Sequence, residues 1–303
     1  MTVQEMITEL AASLGNRTDL TNARYLTWLN WSLLDVCGTF KRGAISPLRF
    51  HTLEEKAFFT TIVVSGTITA ATSNTAQLEV GDVQADDYYN DWVIEITGYD
   101  EEGAGVDTPG GLLYQKRVIY DYDQGSNEVT LCSEWDTTPD AYTSYSLYKR
   151  TYSIETDVGI NPIESLFSIQ RIEKQSDGES INHTGWRDVV GKDITSTGYP
   201  ESFSHRGNYL VLDPTPDTAI RYRVYYYRYP VAFSESNLSA ECELPLDWHE
   251  IVLLGAVWRG FEKLMEPERA KEASNQYLKS MMRQESAVFE DEEIVRGMTI
   301  RRE

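Results

Sequence analysis

Basic residues are scarce in this 303-residue chain: 27 Lys and Arg stand against 48 Asp and Glu, a formal net charge of -21. Affinity for nucleic acid comes mainly from Lys and Arg placed at phosphates, so this balance argues against a protein that grips DNA or RNA. It is compatible with a protein that lets DNA pass without sticking, and equally with a plain acidic, soluble surface. Cysteine is rarer still. Cys37, Cys132 and Cys242 are odd in number, far apart and in no metal-ligand spacing. They exclude a disulfide framework and read as reduced thiols in a cytosolic setting. Long hydrophobic runs are absent too. The longest, from Ile251 to Trp258, is far too short to span a bilayer. The opening Met-Thr-Val-Gln-Glu has no basic region followed by an apolar run, so no signal peptide is expected.

Catalytic signatures are missing as well. His51, His183, His205 and His249 lie in separate segments. His249-Glu250 suggests a zinc-protease helix, but Leu253 stands where the second histidine must share the face. Gly185 to Asp193 imitates a phosphate loop with one residue too many between its glycines and an acid where Ser or Thr must hold magnesium; a β-turn connection fits better. Asp100, Glu102 and Asp107 fail as a calcium loop, because Ala104 and Gly111 occupy positions that need oxygen ligands. No catalytic, cofactor or metal residue is nominated. What remains is 41% hydrophobic and 25% charged, the composition of a globular chain of one large or two ordinary domains rather than of a disordered one.

Periodicity assigns the parts. Thr2 and Glu5 form a capping box ahead of an apolar stripe of Val3, Met6, Ile7, Leu10 and Leu14, closed by Gly15. Thr21 caps a second helix to about Cys37, with Tyr25, Leu26, Leu29, Leu33 and Val36 inward. From Ile62 the pattern turns to strands at 62–70, 76–80, 92–99, 113–121, 128–131 and 144–150, separated by Gly- and Asp-rich turns, which suggests a small barrel or sandwich. Further strands are expected near 167–173 and 209–213. In the strand from Ile220 to Tyr229, Ile220, Tyr222, Val224 and Tyr226 share one face and Arg221, Arg223, Tyr225 and Tyr227 the other. Arg and Tyr on that face fit a carbohydrate platform or a subunit interface with acidic neighbours, and equally an outer sheet face covered by the helices. Asp247 then caps a helix to about Leu264, with Ile251, Leu254, Trp258, Phe261 and Leu264 on its stripe. Pro267 starts another, carried by Ala270, Ala273, Tyr277, Leu278 and Met281. The closing segment from Glu290 lacks a sustained stripe and is expected to be extended or mobile until bound.

The order of these parts resembles the tailed-phage head-to-tail connector, or adaptor, family. The residues that carry it are Pro216, Asp217 and Tyr222 to Tyr227, then Leu244, Pro245, Trp248 and His249, then Pro267, Glu268, Arg269 and Ala270, with Phe50 to Glu54 upstream. The strand-rich stretch from Asp86 to Asp140 resembles a small β-module met inside phage structural proteins. It reads as an insertion; the alternative is an enlarged loop of one continuous β domain. The expected class is α+β: a helical bundle from N- and C-terminal helices, packed with antiparallel β-structure, plus an inserted barrel or sandwich. Expected segments are 1–61, the helical hairpin of the adaptor core; 62–150, the β-module; and 151–303, strands, C-terminal helices and a docking tail.

The resemblance implies a structural virion protein made in the host bacterial cytoplasm and placed at the neck. There a ring of twelve copies would join the portal to tail or nozzle proteins around a DNA channel, with no cofactor and no membrane. The tail offers Ile294, Val295, Arg296, Met298, Ile300, Arg301 and Arg302 for docking to the portal. A glycan-binding or tail-fibre protein is the alternative, and a hydrolase a remoter one.

Overall fold

The computed structural model describes residues 1–39, 53–79, 84–99, 113–141, 143–161 and 166–300, with the side chains of the last helix up to residue 284. The helices are α1 (Val3–Ser13), α2 (Asn22–Leu34), α3 (Trp186–Val190), α4 (Leu246–Lys263) and α5 (Pro267–Ile300). The chain divides into two compact units, Met1–Glu54 with Tyr227–Glu303, and Glu55–Tyr226. The class is α+β.

The first unit is helical. α1 starts on the expected capping box: the Glu5 amide donates to the Thr2 hydroxyl at 3.2 Å, and the Thr2 amide donates to Glu5 Oε2 at 2.8 Å. Val3, Met6, Ile7, Leu10 and Leu14 are all buried. Thr21 occupies the N-cap position of α2 without a side-chain cap bond, and the helix runs on as a π-helical turn, Asp35–Thr39. Tyr25, Leu26, Leu29 and Leu33 are buried, each such side chain worth about 1.5–3 kcal/mol.

α4 departs from expectation in two ways. Its N-cap is Pro245, not Asp247, which lies in the first turn instead. Its buried face is Trp248, Ile251, Val252, Gly255, Ala256, Gly260 and Phe261, while Leu254, Trp258 and Leu264 are only half-buried. Small residues set this face. A Cβ on Gly255 would stand 2.2 Å from the Ser32 hydroxyl and 3.0 Å from the Tyr277 ring, so α2 and α5 pack closely on α4 there. Along α5, Ala270, Ala273, Tyr277 and Met281 are buried as the stripe requires.

The segment from Glu290 is not extended: α5 continues as helix to Ile300. Glu290, Glu292, Glu293, Arg296 and Met298 favour helix there, against Gly297 and Thr299, and the backbone stays helical without an apolar stripe.

The second unit is built of strands. β1 (Glu54–Thr60) precedes β2 (Val63–Ala71), β3 (Thr75–Leu78), β4 (Val93–Tyr99), β5 (Lys116–Asp123), β6 (Glu128–Leu131) and β7 (Thr143–Tyr148). β2 to β7 close into a barrel in the order β2-β3-β6-β5-β4-β7, every pairing antiparallel. Alternate residues fill it: Ile68, Ala76, Ile94, Ile96, Ile119, Val129 and Leu147 are completely buried. Closure removes the exposed edges that so many short strands would otherwise present. Gly66 is required by packing, because a Cβ there would meet the Tyr145 hydroxyl at 2.7 Å.

After the barrel come β8 (Thr151–Ser153), β9 (Leu166–Lys174), β10 (Ser180–His183), β11 (Thr197–Gly198), β12 (Ser202–Arg206), β13 (Tyr209–Asp213), β14 (Thr215–Pro216) and β15 (Arg221–Arg228). Seven strands form one sheet in the order β1-β15-β9-β10-β12-β13-β8, and β11 pairs with β14. The sheet's inner face buries Phe59, Tyr152, Ile172, Phe203, Leu210, Leu212, Tyr222 and Val224. Two cations tie barrel to sheet. Lys149 Nζ lies 2.8 Å from Asp157 and within 6 Å of the Tyr88, Trp92 and Tyr152 rings. Arg150, buried, donates to the Val189 carbonyl at 2.6 Å and to Asp213 Oδ1 at 3.3 Å.

The stretch from Gly185 to Asp193 holds the short helix α3 rather than a β-turn connection. Lys192, the lysine of the phosphate-loop imitation, reaches Asp213 at 2.5 Å.

Candidate functional site

β15 alternates strictly, and its two faces differ in kind. Tyr222, Val224 and Tyr226 point into the sheet's core. Arg221, Arg223 and Tyr225 point outward, beside Lys56 and Phe58 of the edge strand β1 and Arg171 of β9. The outer residues form a lattice of cations over rings. Arg221 and Arg223 lie 5.4 and 5.6 Å from the centroid of Phe58. Lys56, Arg171 and Arg223 lie 5.3, 4.1 and 5.9 Å from that of Tyr225. Arg223 also donates to the Tyr225 hydroxyl at 3.1 Å, which holds its guanidinium above the ordinary arginine range. A cation over a ring face is attracted by the ring quadrupole, and the ring fixes the plane of the guanidinium.

The lattice is open to solvent around Tyr225, whose own ring is buried beneath the cations. Phe58 is 41% exposed, and Lys56, Arg171 and Arg221 are exposed. Its acid is Glu173, 3.2 Å from Arg171. Among the described residues, no carboxylate lies within ion-pair distance of Lys56, Arg221 or Arg223. Elsewhere cations are matched: Arg117 with Asp136, Lys149 with Asp157, Lys174 with Asp177 and Arg228 with Glu243.

Of the residues expected at a subunit interface, the structure brings Arg221, Arg223 and Tyr225 together. Tyr227 is buried and falls in the helical unit. Lys56, Phe58 and Arg171 were not read from the sequence. In β1, Ala57 and Phe59 alternate with Lys56 and Phe58, so the signal was present but short. Of the docking-tail residues, Ile294, Val295, Arg296, Met298 and Ile300 lie on the helical backbone of α5; Arg301 and Arg302 lie outside the described residues. So do Asp100, Glu102 and Asp107, the failed calcium loop.

His249 serves the fold. Its Nε2–H donates to the Leu244 carbonyl at 2.8 Å, leaving Nδ1 to accept from the Met1 ammonium at 3.0 Å. Both ring nitrogens are thus engaged in holding the α4 entry. Among the described residues no group of three His, Cys, Asp or Glu side chains could hold a metal ion, and no helix is long and apolar enough to cross a membrane.

The comparison that decides the family covers the second half of the chain. The profile of the SU10 adaptor protein family matches residues 135–297, from the end of the barrel through the sheet and both C-terminal helices. The chain belongs to the SU10 adaptor protein family. It is a phage adaptor-type protein, and the adaptor's matched region includes β15, α4 and most of α5. None of the curated proteins matches this adaptor.

Proposed function

We propose that this adaptor assembles as a ring beneath the phage portal, joining the capsid to the tail around a DNA channel. The observation that carries the reading is the family match, which spans the helical hairpin α4–α5 and reaches the segment nominated for docking. In this reading Ile294, Val295, Arg296, Met298, Ile300, Arg301 and Arg302 engage the portal, and tail or nozzle proteins attach on the opposite side. The ring contains twelve copies and sits at the neck of the virion, and its role is structural rather than enzymatic.

The barrel is an insertion, residues 62–150, between the core segments 1–61 and 151–303. That is supported by the closure of β2 to β7 on themselves as a barrel with its own core; the family match takes in the last of these strands, β7. DNA passes without being held. A duplex carries one charge per ~1.7 Å, and a wall with net negative charge keeps it centred within a screening distance of ~8 Å.

Native mass spectrometry of the chain alone and mixed with its phage's portal tests the proposal. The chain alone at micromolar concentration should be largely monomeric, and the mixture should contain many copies per portal. A stable dimer in both samples contradicts it and favours a fibre-type protein.

A further inference from the structure

We propose that the outer face of β1, β15 and β9 is the receiving half of a head-to-tail contact, taking the acidic surface of a second copy of this chain. The inference deepens the ring reading by naming the surface that admits a neighbour. A closed ring needs a heterologous contact, in which two different patches of one chain complement each other. Each copy carries a net charge of -21, so neighbours repel unless cations are placed where they meet. On this face Lys56, Arg171, Arg221 and Arg223 cluster around Phe58 and Tyr225, with Glu173 the acid among them.

The geometry suits carboxylates. Rings hold the guanidinium planes in place, so little side-chain freedom is lost when a fork closes on an incoming Asp or Glu. Among the described residues Lys56, Arg221 and Arg223 form no ion pair; Glu173, paired with Arg171, is the acid whose charge also acts on Arg223. Phe58 adds exposed apolar area at the centre of the charges, the arrangement of an interface anchor. A duplex fits less well. Its charge continues along its whole length, beyond the patch and over a chain whose net charge is -21. A neighbouring chain can set a few carboxylates against the patch alone.

The test uses the free full-length chain in sedimentation equilibrium, up to several hundred micromolar at physiological salt. There long-range repulsion is screened beyond ~8 Å and contact pairs persist. The wild type should associate reversibly. Arg221→Glu/Arg223→Glu should weaken association by about tenfold or more, and Lys56→Glu, on a different strand, should weaken it as well. Arg24→Glu/Arg206→Glu makes the same change in net charge elsewhere on the surface and should retain it.

A wild type that stays monomeric throughout overturns the inference, as does association unchanged in Arg221→Glu/Arg223→Glu. Retention of a DNA duplex that this double variant abolishes also overturns it, by assigning the face to nucleic acid. Because no portal is present, failure here is separable from failure of the portal-ring reading.

Discussion

Gly255 of α4 and Ser32 of α2 lie so close that a Cβ at position 255 would stand 2.2 Å from the Ser32 hydroxyl. Ser32 is fully buried, and the Tyr277 ring closes the other side at 3.0 Å. The helical unit therefore depends on a residue with no side chain. Gly255→Val should destabilise it by about 1–3 kcal/mol through overpacking, despite the better helix propensity of the new residue. Urea unfolding followed by circular dichroism measures this; unchanged or greater stability would contradict the packing described.

The barrel should stand alone. Its core residues Ile68, Ile94, Ile119 and Leu147 are supplied entirely by its own strands, and its edges are closed. A fragment of residues 62–150 should give a dispersed amide spectrum by NMR. It should melt below the full chain, since Lys149 loses Asp157. A collapsed spectrum would end the reading of this stretch as an inserted module.

Acid should weaken the sheet through His205. Burial pushes its pKa below the ordinary value, and His183, whose ring centroid is 5.7 Å away, adds to the shift. The unfolded chain takes up a proton near the ordinary value of about 6.5, where the folded chain does not. Stability is therefore full above that pH, falls as pH drops toward the lowered folded value, and levels off beneath it. Between pH 7 and 5.5 the melting temperature of the wild type should fall more than that of His205→Gln. Parallel curves would show that His205 is not the group responsible.

The tail separates docking from folding. Deleting residues 290–303 removes the end of α5, which lacks a sustained apolar stripe, so the melting temperature should hold while binding to the portal is lost. Full binding by the truncated chain would remove the docking assignment.

How much of this was legible depends on the range of the forces involved. All six barrel strands fall within three residues of their expected starts and ends, because alternation and turn chemistry are local. The inward face of β15 was legible for the same reason. Trp258 was misplaced because an apolar count favours large side chains, whereas α4 packs through Gly255, Ala256 and Gly260. β1 was missed: Glu54, Glu55 and Lys56 charge it, as suits an edge strand, and blur its alternation. The lattice of Arg171 and Lys56 around Tyr225 joins three strands distant in sequence. Only the sheet order brings them together.

Cryo-electron microscopy of the chain mixed with the portal of its own phage tests the central claim most directly. A closed ring of this chain should appear on one end of the portal, with its C-terminal helices against the portal subunits and an open channel along the axis. Portal particles without added density, or with scattered copies that close no ring, would contradict it.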